Sequence, residues 1–138
     1  MKKIWLAANL FVLLVLTSGS VNSAEQTLEH MYWRTTSIGD EAISVPPQQI
    51  PHVAFHAEES RVAGFGGCNR FFASYEQNEE KIKISIMGGG RARCPELGTL
   101  EQDFMRALQL SENFKRDGDK LILLQGETKL IEFVGIEQ

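Results

Sequence analysis

Residues 61–75 read RVAGFGGCNRFFASY, and the interpretation of the whole chain starts from this stretch. Two short strands fit its ends, over Arg61–Phe65 and over residues 70–75. Three of the four positions from Gly64 to Gly67 are glycine, which suggests positive φ angles or close backbone approach. Asn69 tolerates a left-handed conformation and can hydrogen-bond to nearby backbone. The stretch therefore predicts a tight corner between two strands.

Strand patterns dominate the chain outward from this corner. Polar and apolar residues alternate over residues 52–56 and 81–86, and residues 32–38 form a further strand candidate. Residues 120–125 and 129–134 flank Gly126-Glu127-Thr128, which is typical of a hairpin. We interpret residues 39–51, with three prolines, as a loop and residues 88–90 as a hairpin turn. Because the connections are short, the predicted sheet is antiparallel.

One segment has helical rather than strand periodicity. In residues 100–110, Leu100, Phe104, Ala107 and Leu108 recur near helical spacing, which predicts an amphipathic helix packed on the sheet. Thr99 with Gln102 matches a capping box. The predicted fold class is mainly β (α+β), with one helix against the sheet.

The N-terminus has the pattern of an export signal. Lys2 and Lys3 precede a run of 13 uncharged residues, and small residues follow up to Ala24. We predict a signal peptide over residues 1–23, cleaved after Ser23, and a single domain over residues 24–138. The run is shorter than the roughly 20 residues that span a bilayer. An uncleaved anchor is the alternative, and a lipoprotein signal would need a cysteine where Ser18 and Ser20 stand. The expected location is the periplasm or the secreted fraction, with no stable membrane span after cleavage.

The charge and length of the chain argue against some classes of protein. The 138 residues carry 14 basic and 18 acidic side chains, a formal net charge of -4. An acidic total argues against a general nucleic-acid binder, and no heptad pattern supports a coiled coil. We expect a monomeric globular domain.

The two cysteines, Cys68 and Cys94, are predicted to form a disulfide, since an exported chain meets an oxidising compartment. A metal site and a catalytic thiol are the alternatives. A metal site needs further ligands, and the sequence has no C-x-x-C and no clustered Cys/His spacing; a catalytic cysteine would have to stay reduced. The closed loop would contribute about 3–3.5 kcal/mol to stability in the chain-entropy model.

Other patterns do not indicate catalysis. His52 and His56 lie four apart on a strand, about 13 Å apart, and cannot share one metal ion. Gly88-Gly89-Gly90 lacks the Lys-Ser/Thr of a phosphate loop, and no nucleophile elbow occurs. We therefore predict no enzyme activity, no metal and no cofactor.

Arginines cluster around the disulfide. Arg91 and Arg93 point the same way in an extended segment, and the disulfide would bring them near Asn69 and Arg70. We predict a binding corner of Asn69, Arg70, Arg91 and Arg93 for an anionic ligand, such as a lipid head group, an acidic polysaccharide or a partner's carboxylates. The alternative is surface arginines paired with local acids.

The sequence resembles the META domain family, which includes HslJ-like bacterial proteins, from about Trp33 to Val134. The resemblance rests on Trp33, Val62-Ala63-Gly64, Gly67-Cys68-Asn69-Arg70-Phe71, Arg91-Ala92-Arg93-Cys94, Glu101 with Phe104 and Leu108, and residues 117–123. The chain departs from the family's Thr-x-Met-x-Cys pattern, since Gly90-Arg91-Ala92-Arg93 precedes Cys94, so no role of that threonine or methionine carries over.

The resemblance implies a curled, partly barrel-like antiparallel sheet with one packed helix and no known catalytic residues. It also implies a role in envelope stress or in tolerance to drugs such as novobiocin, with an unidentified envelope protein or an amphipathic or anionic ligand as partner. The alternative function is a carrier or pilot-like module that holds an acyl chain or a peptide between sheet and helix, lined by Phe71, Phe104 and Leu108. That alternative rests on fold-level analogy.

Overall fold

The computed structural model describes residues 27–138, and the signal peptide predicted over residues 1–23 lies outside the described residues. The strands are β1 (Met31–Ile38), β2 (Glu41–Ala42), β3 (His52–His56), β4 (Arg61–Phe65), β5 (Arg70–Asn78), β6 (Lys81–Gly89), β7 (Asn113–Asp117), β8 (Lys120–Gln125) and β9 (Thr128–Glu137). Helix α1 spans Leu100–Leu110, and short 3-10 turns lie at Pro47–Gln49, Ala57–Glu59 and Pro95–Leu97.

The sheet closes on itself into an eight-stranded antiparallel barrel. Strands β3 to β9 follow one another in chain order, and β1 pairs with both β3 and β9. β2 adds two residues at the end of β1. The barrel is weakest between β6 and β7, where Lys81 opposite Asn113 is the single register pair. The predicted curled antiparallel sheet with one helix is confirmed, and the sheet is fully closed.

Inward-facing side chains fill the barrel because apolar residues alternate with polar ones along each strand. The largest fully buried side chains include Trp33, Phe104, Phe114 and Phe133. Leu28, just ahead of β1, belongs to the same core, and its carbonyl accepts a hydrogen bond of 2.9 Å from the Trp33 indole. Arg116 lies 5.2 Å above the Trp33 ring, a cation–π geometry.

Helix α1 lies across one opening of the barrel. It contacts β6 on one side and β9, β1 and β8 on the other, strands that do not all adjoin one another in the sheet. Its buried face presents Phe104, Ala107 and Leu108 to the core. The predicted helix is confirmed, but the predicted capping box is wrong. The Thr99 hydroxyl donates instead to the Asp103 carboxylate at 2.8 Å and bonds no backbone N–H.

Two further local predictions were wrong. Gly88 and Gly89 belong to β6 and pair with Phe72 and Phe71, so the predicted turn over residues 88–90 is strand for two of its three positions. The loop predicted over residues 39–51 contains the short strand β2 and a 3-10 turn. In both places pairing with a neighbouring strand outweighs the low strand propensity of glycine or the turn signal.

Candidate functional site

The corner predicted at Cys68 is built around the carboxylate of Glu101, at the start of α1. One carboxylate oxygen accepts the backbone N–H groups of Cys68 and Asn69 at 2.8 and 2.7 Å. The other accepts the side-chain amide of Asn69 at 2.7 Å. Three hydrogen bonds to one charged group are stronger than neutral ones, so they fix the 68–69 backbone to the helix.

Asn69 also bonds to the segment that leads to Cys94. Its amide nitrogen donates to the Ala92 carbonyl at 2.9 Å, and its amide oxygen accepts the Ala92 N–H at 2.8 Å. Both amide hydrogens are therefore used within the protein. Gly90 is needed here because a Cβ on it would lie 2.5 Å from the Asn69 amide oxygen.

The predicted disulfide is present between Cys68 and Cys94, with Cα atoms 5.9 Å apart. It joins the same two segments that Asn69 bridges. The loop from Gly66 to Asn69 and the segment from Gly90 to Cys94 are thus held by a covalent bond and by hydrogen bonds through Asn69 and Glu101.

The three arginines of the predicted corner are exposed. Arg70 begins β5, and its carbonyl accepts the N–H of Gly90, which places Arg91 next to it along the neighbouring segment. Within residues 27–138, neither Arg70, Arg91 nor Arg93 forms an ion pair or a side-chain hydrogen bond. The predicted site therefore divides into a structural residue, Asn69, and three arginines with free guanidinium groups.

A cluster of rings lies on the outer surface of the barrel beside Arg70. The rings of Tyr32 and His52 have centroids 4.3 Å apart, and those of His52 and Phe65 are 5.4 Å apart. Burial raises the pKa of Tyr32, while the charges of Arg34 and Arg70 act against that rise. Burial lowers the pKa of His52; the Ile50 carbonyl raises this pKa and the Arg70 charge lowers it further. Both arginines are therefore close enough to act on this cluster.

The residues predicted to line an internal carrier cavity belong to the core. Phe71 is 2% exposed, and Phe104 and Leu108 are fully buried. The rings of Phe71 and Phe104 pack edge to face with centroids 6.2 Å apart.

A separate groove of about 650 Å³ lies along helix α1, and its lining does not include these three residues. It runs between α1 and the end of β1, and its apolar lining includes Ile38, Ile43, Leu100, Leu110 and Leu130.

No metal centre is apparent in the described part of the chain. Among residues 27–138, no three His, Cys, Asp or Glu side chains come together as a ligand group. His52 and His56 both lie on β3, and no helix among these residues is long and apolar enough to cross a membrane.

The family model described as META domain matches residues 26–138. This chain belongs to the META domain family. The match covers the whole barrel and the helix, so the resemblance found at Gly67-Cys68-Asn69-Arg70-Phe71 is confirmed. Comparison with curated proteins gave no significant match.

Solved structures share the fold of this META domain. An NMR structure of a protein from Burkholderia xenovorans matches with a TM-score of 0.67 and 21% identity, covering 84% of this chain and 88% of that chain. A crystal structure of a duf4847 family protein from Bacteroides vulgatus ATCC 8482 matches with a TM-score of 0.60 and 14% identity, covering 83% of this chain and 99% of that chain. A further NMR structure matches with a TM-score of 0.58 and 19% identity, covering 78% of this chain and 91% of that chain.

Sequence reasoning placed Glu101 in the first turn of the META domain helix but missed its hydrogen bonds to the cysteine corner. The available signal was an acid at the predicted helix start together with the glycine pair Gly66-Gly67 before Cys68. A Cβ on Gly66 would lie 2.7 Å from the Glu101 side chain, so the glycine leaves room for the carboxylate. Only the tertiary fold shows that Glu101 and the loop at Cys68 meet, because 33 positions separate the two residues in the sequence.

Proposed function

We propose that this META domain is an exported, non-catalytic binding module that acts in envelope stress or drug tolerance by holding an anionic ligand at Arg70, Arg91 and Arg93. The observation that carries the proposal is the contrast within the corner. Asn69 and Glu101 are fully occupied in fixing the backbone, whereas the guanidinium groups beside them are exposed and unpaired among the described residues. Guanidinium groups favour carboxylate and phosphate ligands because they donate two parallel hydrogen bonds.

Export is supported by two independent features. The disulfide between Cys68 and Cys94 suits an oxidising compartment, and the segment over residues 1–23 has the order of a signal peptide. N-terminal sequencing of the exported protein should find Ala24 as the first residue. A mature chain that begins before Ser18 would contradict the assignment.

The binding proposal is tested with the triple variant Arg70→Gln, Arg91→Gln, Arg93→Gln. The probes are vesicles of phosphatidylglycerol with phosphatidylethanolamine, and soluble polygalacturonate, which present a lipid and a sugar source of negative charge. We expect the wild-type chain to bind one of them at low salt and the variant to bind it at least about tenfold more weakly.

The matched control for this test is Lys81→Gln, Lys83→Gln, Lys115→Gln, which removes three exposed cations from β6 and β7. It should change the affinity less than about twofold, since these lysines lie outside the corner. If both triple variants weakened binding equally, binding would depend only on the net charge of the protein, and the proposal would be overturned. The stress role is tested by deleting the gene and restoring novobiocin tolerance with the wild-type chain but not with the arginine variant.

The helix-side groove supports a second candidate function, a carrier or pilot-like module. Leu110 is 41% exposed and lines this groove together with Ile38, Ile43, Leu100 and Leu130, so an apolar ligand would meet a contiguous apolar surface. In this candidate the ligand lies in the groove, outside the packed core to which Phe71, Phe104 and Leu108 belong.

Binding of a dansylated fatty acid tests the carrier candidate. Leu110→Glu should weaken binding by about tenfold, because a carboxylate in the groove costs desolvation energy. Gln109→Glu adds the same charge to the same helix but outside the groove lining, and should leave binding unchanged. Equal binding by the wild-type chain and Leu110→Glu would exclude the groove as the site.

A further inference from the structure

Two rows of outward-facing side chains cross the barrel wall over β1, β3, β4 and β5. In the first row, Arg34 lies opposite His52, His52 opposite Phe65, and Phe65 opposite Arg70. The second row, two residues along each strand, runs from Tyr32 through Ala54 and Ala63 to Phe72. We call these two rows the outer face.

The outer face is apolar at its centre and positively charged at its two sides. The rings of Tyr32, His52 and Phe65 pack in series, and Phe72, on β5 at the end of the second row, is 60% exposed. Arg34 and Arg70 are three strand spacings apart, about 14 Å. Neither forms an ion pair or a side-chain hydrogen bond within the described residues.

Exposed apolar side chains extend the outer face at both ends. Ile136 on β9 lies opposite Tyr32 and is 45% exposed. On the other side, the register between β5 and β6 shifts at Phe72, which leaves Met87 as an extra residue that is 63% exposed. β-Bulges of this kind redirect side chains and are over-represented next to functional sites.

The two rows carry positive charge, and the acids Glu29, Glu58 and Glu59 line the adjoining pocket beyond Ala63 and Phe72. Acidic residues outnumber basic ones by 18 to 14 in the sequence, yet neither row contains an Asp or Glu. Aromatic residues, Met and Arg are enriched at the centres of protein interfaces, whereas Asp, Glu and Lys are depleted there. The outer face has this composition, and its two unpaired arginines would be complemented by carboxylates on whatever covers it.

The same composition disfavours a sugar. The two rows contain no carboxylate or carboxamide side chain, so the hydroxyl groups of a glycan would meet only Tyr32, His52 and the two arginines. The aliphatic Ile136 offers no flat ring for stacking. A polypeptide hydrogen-bonds its backbone groups internally or to water. It can also present apolar side chains and carboxylates on one surface.

The geometry points to the outer face as the docking surface for an acidic partner polypeptide, whose apolar side chains cover Phe72 and whose carboxylates pair with Arg34 and Arg70. The inference rests on the proposed binding role, since Arg70 belongs to both surfaces. It adds a partner class and residues that the arginine corner does not include.

Selection of random dodecamer peptides by phage display against the folded protein tests the inference. Enriched peptides should combine Asp or Glu with aromatic or branched aliphatic residues. Synthetic copies should bind at least about tenfold more weakly to Arg34→Glu and to Phe72→Ser, because each variant removes one kind of complementarity. The matched control Lys83→Glu, on the outer side of β6, should change peptide affinity less than about twofold.

The outcomes separate this inference from the proposed function. If the peptides lose affinity for Arg91→Gln, Arg93→Gln but not for Arg34→Glu or Phe72→Ser, the outer face is excluded and the arginine corner stands. No enrichment of acidic peptides, or binding that none of these variants weakens, overturns the docking surface. Binding of polygalacturonate that depends on Arg34 and Phe72 would replace the polypeptide with a polysaccharide and also overturn it.

Discussion

At the scale of single residues, Glu101 is the acid on which the cysteine corner depends. Its carboxylate accepts three hydrogen bonds from Cys68 and Asn69, and each donor would lose its partner if the side chain were removed. This explains why the glycine-rich loop does not need strand pairing at Cys68. The backbone donors that a ladder would satisfy are satisfied by a side chain instead.

Glu101→Ala is therefore expected to destabilise the fold by about 2–3 kcal/mol, since donors to a charged acceptor are left without a partner. Urea unfolding followed by circular dichroism measures the change. Glu112→Ala removes the same charge from an exposed side chain and should cost less than about 0.5 kcal/mol. Equal effects of the two substitutions would show that the carboxylate is not structural.

His52 links the ring cluster to the pH dependence of stability. Burial lowers its pKa below the usual value of 6.5, against the effect of the Ile50 carbonyl and together with that of the Arg70 charge. The unfolded chain therefore binds a proton at a higher pH than the folded chain does. The stability that follows from this difference is fully present above pH 6.5 and is lost as the pH falls toward the lower folded-state pKa.

We expect His52→Gln to flatten the decline in unfolding free energy between pH 7 and pH 5, as measured by urea titrations at several pH values. His56→Gln, an exposed residue on the same strand, is the matched control. A steeper decline of the unfolding free energy in His52→Gln than in His56→Gln would contradict the prediction, because it would mean that the folded state raises the pKa of His52.

At the scale of elements, the sequence was most informative where side chains alternate. The strands expected at residues 32–38, 52–56, 61–65, 70–75, 81–86, 120–125 and 129–134 all exist, and so does the helix. β7 was not predicted because its residues Asn-Phe-Lys-Arg-Asp hold one apolar side chain, Phe114, and no period can be read from one position. β7 forms because each of its residues, from Asn113 to Asp117, pairs with a residue of β8.

Strands β4 and β5 pack closely where Gly64 faces Phe71. A Cβ on Gly64 would overlap the ring of Phe71, which lies directly opposite it and is buried against Phe104. The Val62-Ala63-Gly64 step is thus a packing requirement. The ring occupies the space that a side chain would need.

Gly64→Ala is expected to destabilise the protein by about 2–3 kcal/mol through overpacking. Gly88→Ala, also in a strand, places its Cβ in open space and should change stability by less than about 1 kcal/mol. Thermal unfolding of the two variants gives the comparison. A Gly64→Ala protein as stable as Gly88→Ala would mean that Phe71 can move aside at little cost.

At the scale of the whole molecule, closure of the barrel joins the two ends of the described chain. β1 pairs with β9 from Met31 opposite Glu137 to Ile38 opposite Ile131. Neither strand carries a local signal for this pairing, because each one reads as an ordinary amphipathic strand. The cysteine corner was predictable for a different reason. Cys68 and Cys94 mark two segments that must meet, while the outer face arises from register across four strands and has no counterpart in any single stretch of sequence.

The disulfide acts on the whole molecule through the unfolded chain. It spans 26 positions, and within the folded domain Asn69 already bridges the same two segments by hydrogen-bonding to Ala92.

Removing the disulfide should therefore leave the folded geometry intact while releasing the unfolded chain from a constraint. Cys68→Ala with Cys94→Ala is expected to lower the unfolding free energy by about 3 kcal/mol. The Ala92 amide, which donates to Asn69, should stay as protected from hydrogen exchange as in the wild-type chain. Titration of the wild-type chain with urea, with and without dithiothreitol, gives the same difference without substitutions. A loss below about 1 kcal/mol in both measurements would contradict stabilisation through the unfolded chain. Loss of protection at Ala92 would show that the covalent bond itself holds the corner, and then the arginines beside it would depend on an oxidised bridge for their placement.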